Sequence, residues 1–362
     1  MRLLFIINTP SQAHTWHHII NSMVGKGHEV KILARDYGPT IELLKLFGFR
    51  CETFRPWGVR AWRLMGAVGH FQNCYRLVDG FSPSIFVGFG LDAAVTAMRL
   101  KKPCVVFIDD EHTYVQNRLT CLLASATITP DTFEKTLGRS HIRINSYKEL
   151  AYLHPDLFKP DIGIFDQLKI GKREKYVVLR FNLFDAIHDI GIRGFSVSDQ
   201  LRLVEELGKH VRVFIVPEGV LPKELDRYRL SVPVDRIHHV LNYAQLIVGD
   251  SGTMTTEAAV LGTPAVRFRP AARESTISRS FGELERRYGL IYTFQTVDEA
   301  ARKAVELAVM PGLREEWAKK RQILLEDKVN LSTYMVNFLE GCSGVTRKAV
   351  GMSPCPKAAA GQ

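Results

Sequence analysis

Short apolar runs recur along the chain, each followed by a stretch long enough for one helix. Leu3 to Ile7 is continuously apolar, as a strand buried on both faces of a parallel sheet must be. A polar turn, Asn8 to Ser11, leads into a helical stretch through Met23, which Gly25 and Gly27 end before the next apolar run at Val30 to Leu33. The alternation continues with a helix around Thr40 to Phe47, a strand at Arg50 to Phe54, a helix around Ala61 to Val78 and a strand at Ser84 to Val87. A helix from Asp92 to Arg99 precedes the strand Cys104 to Ile108, and shorter elements carry the chain to Asn145. Such alternation predicts a doubly wound parallel sheet.

A second series starts at Tyr176 to Arg180 and repeats through Val211 to Val216, Leu246 to Val248 and Ala265 to Phe268. Between the two series, His154 to Arg173 contains Pro155, Pro160, Gly163 and Gly171, which is linker composition. Beyond Leu290 the pattern is helical, with Val297 to Val309, Leu313 to Leu325 and Leu331 to Leu339. The expected α/β organisation is an N-terminal Rossmann-like domain over 1–155, a linker over 156–174 and a C-terminal Rossmann-like domain over 175–340 that ends in helices. The tail 341–362, rich in Gly, Pro, Ala and Lys without apolar periodicity, reads as disordered. Two such domains facing each other make a cleft at the carboxyl ends of their strands, where ligands of open α/β sheets bind.

The chemistry converges on Leu246 to Phe268, LIVGDSGTMTTEAAVLGTPAVRF, which reads as strand, turn, short helix and strand. Gly249 to Thr253 place two glycines, a serine and a threonine where a helix begins, so that backbone N–H groups and two hydroxyls offer an anion site. Glu257 follows about one turn in, within reach of the sugar of a nucleotide whose phosphate sits on the turn; Gly262 and Pro264 end the helix. A plainer reading makes Ser251 and Thr253 helix caps and Glu257 an acidic residue favoured near a helix N-terminus.

Other clusters lie at strand ends. Arg180, His188 and Asp189 fall in RFNLFDAIHD, after the first strand of the second series, where Arg180 or His188 would neutralise a diphosphate. His188 equally suits a structural bond to Asp189. Asp109, Asp110, Glu111 and His112 follow the strand Val105 to Ile108, and crowded carboxylates raise one another's pKa, which suits a general base; an acidic helix cap is the alternative. His14, with His17 and His18, follows the first strand and is a further candidate for contact with substrate. His238 and His239 precede the Leu246 strand, but adjacent helical residues face different ways, which argues against a metal pair.

Composition narrows the class. At 362 residues and 46% hydrophobic content the chain can bury two ordinary cores. A formal charge of +10 suits an anionic partner such as a nucleotide phosphate or an acidic membrane surface. Zinc-finger spacing, an RNP-like aromatic motif and long basic runs are all absent, so nucleic acid is not expected. The six scattered cysteines, with no C-x-x-C pair, read as reduced thiols of a cytoplasmic protein. No run approaches the roughly 18 apolar residues of a membrane span. Between Phe54 and Phe81, Trp57, Trp62, Phe71 and Tyr75 interleave with Arg55, Arg60, Arg63 and Arg76. That pattern fits an aromatic face packed on the protein with arginines in solvent, or a peripheral contact with the inner face of an anionic membrane or with a lipid-linked acceptor.

With these residues assembled, the chain resembles the family of proteins of unknown function numbered 354, relatives of GT-B glycosyltransferases and of the non-hydrolysing UDP-N-acetylglucosamine 2-epimerases. The resemblance rests on Asp109 to His112, Lys148 to Pro155, Arg180 with His188 and Asp189, Asp250 to Met254 with Glu257 and Ala258, Leu261 to Pro264 and Tyr288 to Leu290. It implies a GT-B-like pair of Rossmann-like domains across a cleft. It also implies phosphate binding by Ser251, Gly252 and Thr253 and ribose binding by Glu257. The epimerases carry His-Arg-Arg-Glu-Asn after the first strand of the second domain, where this chain reads RFNLFDAIHD. The expected activity is therefore a metal-free glycosyl transfer from a nucleotide-diphosphate sugar to a glycan or lipid-linked acceptor, for a surface polysaccharide or glycolipid. The second half would hold the donor, and Asp110, Glu111 or His14 would act as base. A sugar-nucleotide epimerase and a non-catalytic nucleotide-sugar-binding protein are the alternatives.

Overall fold

A computed structural model describes residues 1–54, 78, 80–111, 113–181, 194–270 and 279–342. All of the expected helix at 61–78 except Val78, the arginine and aromatic positions of 55–77, His112, His188, Asp189 and all but the first two residues of the 341–362 tail lie outside the described residues. The chain divides into two compact units, residues 1–152 with the segment from Lys328 onward, and Leu153–Asp327.

The first unit is built on seven parallel strands: β1 (Arg2–Ile7), β2 (Glu29–Arg35), β3 (Glu52–Phe54), β4 (Ile85–Phe89), β5 (Cys104–Phe107), β6 (Ala126–Pro130) and β7 (His141–Ile144). Their order, β3-β2-β1-β4-β5-β6-β7, is doubly wound, with the chain changing direction across the sheet between β1 and β4. In register, Leu3 sits between Val30 on one side and Ile85 on the other. Five of the six β1 residues are buried, as a central strand covered on both faces requires. The helix after β1, α1 (Pro10–Gly25), starts where Thr9 accepts a hydrogen bond from the Gln12 N–H and Pro10 occupies the first turn. Its Trp16 is fully buried and edge-on to Phe5 and Phe89, at 5.6 and 5.3 Å between ring centroids. Shorter helices α2 (Thr40–Leu46), α3 (Gly90–Arg99) and α4 (Tyr114–Leu123) complete the described crossovers.

In the second unit, α5 (Ile164–Leu168) buries Ile164, Phe165 and Leu168, so the stretch read as a linker contributes to a core. It leads to β8 (Tyr176–Phe181), α6 (Val197–Gly208), β9 (Arg212–Pro217), α7 (Ile237–Tyr243) and β10 (Leu246–Gly249). There follow α8 (Gly252–Leu261), β11 (Ala265–Phe268), α9 (Arg279–Arg286), β12 (Ile291–Phe294), α10 (Val297–Val309) and α11 (Leu313–Asp327). The five strands are parallel in the order β12-β11-β10-β8-β9, so this sheet switches direction between β8 and β10. β12 falls where the sequence pattern predicts only helices, because Ile291 alone of its four residues is buried and the strand carries little apolar signal.

The last helix, α12 (Leu331–Gly341), belongs to the first unit, whereas the sequence pattern grouped it with the second. Its approach is fixed by hydrogen bonds: Val329 N–H to the Asn145 carbonyl at 2.9 Å and the Ser332 hydroxyl to the Ala151 carbonyl at 2.6 Å. Such contacts have no signature in hydrophobic periodicity. Among the described residues no helix is long and apolar enough to cross a membrane.

Candidate functional site

The turn between β10 and α8 stands at the switch point of the second sheet, where open α/β sheets bind ligands. β10 and β8 run so close that a Cβ on Gly249 would lie 2.2 Å from the Arg180 carbonyl oxygen, so only glycine fits. One residue on, the Asp250 N–H donates to that carbonyl at 3.3 Å, and the buried Asp250 carboxylate accepts the Phe195 N–H at 3.4 Å. Ser251 is the N-cap residue by backbone conformation, at φ −78° and ψ 125°, yet its side chain makes no capping hydrogen bond. Thr9, Ser196, Thr296 and Asn330 all cap their helices through the side chain. The first-turn N–H groups of α8, at half-buried Gly252 and Thr253, are thus without a side-chain cap and carry the positive end of the helix dipole. Met254 through Leu261 are all buried, which holds the helix rigidly behind this end, and Gly262 at φ 78° closes it.

Glu257 is 4% exposed and faces His238 of α7, whose Nε2 lies 3.1 Å from its Oε1. His239 accepts the Asp161 N–H on Nδ1 at 3.0 Å; Phe158 neighbours both histidine rings, so the two differ in their polar partners, Glu257 and Asp161. Arg180 turns toward β9: its Nη2 is 3.2 Å from Glu218 Oε1 and its Nη1 donates to the Val216 carbonyl at 3.5 Å. The arginine at the helix end is Arg267 of β11, only 3% exposed. Its guanidinium lies 4.0 Å from the Phe281 ring centroid, and its Nη2 is 4.0 Å from where a Cβ of Gly252 would stand. Its Nε and Nη1 are buried with no hydrogen-bond partner among the described residues. Burial, followed by neighbouring Arg269, pushes its pKa down to about 9. The second unit therefore brings Ser251, Gly252, Thr253, Glu257 and Arg267 to one helix and its first turn. Neither His238 nor Arg267 is among the candidates for this end that the sequence pattern names. The available signal for Arg267 was a charge inside the otherwise apolar run AVRF.

The remaining candidates belong to the first unit. Asp109 pairs with Lys148, which also lies 3.3 Å from buried Glu149. Burial disfavours the Lys148 ammonium, but the two carboxylates outweigh it and hold its pKa above the ordinary lysine range. The acidic cluster thus contains its own counter-charge. Glu111 Oε1 accepts backbone N–H groups of Glu134 at 2.7 Å and Lys135 at 3.3 Å, which anchors the loop after β6. Asp110 is exposed, and its carbonyl accepts the Asn117 side chain at 2.6 Å. His14, 8% exposed, stacks on Tyr152 at 5.4 Å and meets Phe47 edge-on at 5.3 Å. His17 stacks on the Phe47 ring at 4.0 Å, and burial together with His18 lowers its pKa to about 4. Among the described residues no group of three His, Cys, Asp or Glu could hold a metal ion, and Cys51, Cys104, Cys121 and Cys342 are free.

Two doubly wound parallel sheets with this uncapped helix end define an α/β protein with a GT-B-like fold. The chain belongs to the family of proteins of unknown function DUF354, which matches residues 3–339. An uncharacterized protein of Methanocaldococcus jannaschii, MJ0665, is 25% identical over 281 residues, 73% of this chain and 80% of that one. Among solved structures, the Neisseria meningitidis UDP-GlcNAc 2-epimerase bound to UDP-GlcNAc superposes with a TM-score of 0.64 at 15% identity, covering 94% of this chain and all of that one. The glycotransferase of kitacinnamycin does so with a TM-score of 0.58 at 14% identity, covering 94% and 98%.

Proposed function

We propose that the protein is an enzyme of nucleotide-diphosphate sugars, with the nucleotide held by the second unit. The observation that carries this reading is the α8 N-terminus: a helix end at a sheet switch point, with Ser251 in the capping position but not spent on capping. The diphosphate would sit on Ser251, Gly252 and Thr253, with Glu257 accepting ribose hydroxyls after a small opening of its contact with His238. In this arrangement His238 orients the carboxylate.

The reaction we favour is epimerisation of the sugar with the nucleotide diphosphate kept intact, because similar folds include a UDP-GlcNAc 2-epimerase seen with its sugar nucleotide. Transfer of the sugar to an acceptor is the second reading, favoured by RFNLFDAIHD standing where the epimerases carry His-Arg-Arg-Glu-Asn. In either case Asp109, Lys148 and Glu149 form the polar centre of the first unit, beside Asp110 and Glu111.

The test is to incubate the purified protein with UDP-, GDP-, CMP- and dTDP-sugars without acceptor and follow each by proton NMR and thermal stabilisation. A new anomeric signal with the nucleotide diphosphate intact establishes the epimerase. Stabilisation by one nucleotide class without an epimer selects the transferase reading, to be pursued with acceptors. No stabilisation by any nucleotide sugar refutes the proposal.

A further inference from the structure

A guanidinium in the middle of a core strand needs an account. β11 lies between β10 and β12, all four of its residues are buried, and Arg267 pairs in register with Gly249 of β10. Desolvating a charge without hydrogen-bonding its donors is costly, and a Met or Leu of similar length would serve packing better. The Phe281 ring supports one face of the guanidinium but leaves Nε and Nη1 unused among the described residues. Asp250 and Glu285 stand near enough to favour the charge, while Arg269 adds a second positive group.

The guanidinium reaches the helix end through its Nη2. Gly252 begins α8 with its Cβ position 4.0 Å from Arg267 Nη2 and 3.1 Å from Phe281 Cζ, so a side chain there would crowd the arginine and its supporting ring. The first-turn N–H groups of α8 and the Nη2 corner of the Arg267 guanidinium therefore border one small region. A single carboxylate would satisfy either set; two linked phosphoryl groups satisfy both, and the planar fork of arginine matches phosphoryl oxygens.

We infer that Arg267 reads the diphosphate: one phosphoryl group seats on the first turn of α8 and the adjoining one is held by the Arg267 guanidinium, which gives the site its preference for nucleoside diphosphates over monophosphates. This rests on the reading that a nucleotide binds this turn. It assigns the charge-matching role to β11, whereas Arg180, the arginine expected to do so, is engaged by Glu218.

The experiment uses the full chain and Arg267→Met and Arg267→Gln, titrated by calorimetry with UDP, GDP, ADP, dTDP, the matching monophosphates and inorganic pyrophosphate. Melting is recorded without ligand. The expected result is a loss of about tenfold to a hundredfold in affinity for the diphosphate that wild type binds, from the charge-assisted bonds removed, with monophosphate affinity changed far less. The ligand-free Met variant should melt no lower than wild type, since it removes a buried charge whose Nε and Nη1 make no hydrogen bond among the described residues. Diphosphate affinity within about twofold of wild type in either folded variant overturns the inference. Pyrophosphate binding that depends on Arg267, with no nucleoside diphosphate bound, refutes the nucleotide reading and overturns the preference for nucleoside diphosphates, leaving Arg267 as an anion contact. Failure of wild type to bind any of these anions overturns both.

Discussion

Replacing Ser251 with alanine separates a helix cap from a ligand contact. An N-cap serine or threonine that bonds its helix contributes about 0.5–2 kcal/mol to stability. Thr296 is such a cap in the same unit: it accepts the Glu299 N–H at 3.3 Å and donates to the Glu299 carboxylate at 2.6 Å. Thr296→Ala should therefore cost about 1 kcal/mol, a fall of about 2–4 °C in Tm for a unit of this size. Ser251 makes no such bond, so Ser251→Ala should cost less than about 0.5 kcal/mol and leave Tm within about 1 °C of wild type. Its loss should appear in binding instead. A hydroxyl bonded to an anionic phosphoryl oxygen is worth about 1.5–3 kcal/mol, or about tenfold to a hundredfold in Kd. Differential scanning fluorimetry and calorimetry with the stabilising nucleoside diphosphate give both numbers. If Ser251→Ala melts as low as Thr296→Ala and its Kd is unchanged, Ser251 is a cap and the site reading fails.

Three further perturbations follow from the geometry. Gly249→Ala sets a methyl 2.2 Å from the Arg180 carbonyl in a strand pair, and should destabilise the second unit by about 2–3 kcal/mol or more in urea denaturation. Lys148→Met leaves Asp109 and Glu149 without their cation and should cost about 2–3 kcal/mol, while adding Asp109→Asn should recover part of it; strict additivity of the two would sever the pair. His141 accepts the Leu137 N–H on Nδ1 at 3.3 Å and so presents its Nε2 proton to Thr129 at 2.9 Å, an arrangement that only neutral imidazole allows. Burial, helped by Arg143, accordingly lowers its pKa from 6.5 to about 4. Between those pH values the unfolded chain takes up a proton that the folded one refuses, so stability falls as pH drops from 6.5 to 4, by about 1–2 kcal/mol after allowance for solvent screening. His141→Gln should flatten that slope, and an unchanged slope would remove His141 as its source.

Fold class was legible because both sheets are parallel and covered on two faces, so that most strands are near-continuous apolar runs. The expected strands at 3–7, 30–33, 176–180 and 265–268 each coincide with, or fall within, an observed one. Legibility failed where the pattern was diluted. β6 alternates threonines with apolar residues, and β12 keeps only Ile291 fully out of solvent, so neither was named as a strand in the reading. α12 was seen as a helix but assigned to the wrong neighbours, since Ser146, Asn145 and Ala151 draw it in through hydrogen bonds to and from the backbone.

The site divides along the same line. Backbone-determined features were readable: glycines and a serine after an apolar strand mark a helix end that can take an anion, and Ser251, Gly252 and Thr253 stand there. The partner of each arginine was not, because strand position fixes a residue's Cα and leaves its side chain a choice of partners. Arg180 stands near the carboxyl end of β8 at the switch point, as expected, but Glu218 offers it a carboxylate on the β9 side. Arg267 was passed over inside a strand, although a charge in an apolar run is the rarer signal and the more demanding one, since the fold must bear its desolvation. The same reasoning applies to His238, buried against Glu257 on the helix that precedes β10. A charge that breaks an apolar run is therefore a prompt to look for its partners, and the partner decides between readings: Arg180 breaks the run of β8 and meets Glu218, whereas Arg267 breaks that of β11 with Nε and Nη1 unmatched among the described residues.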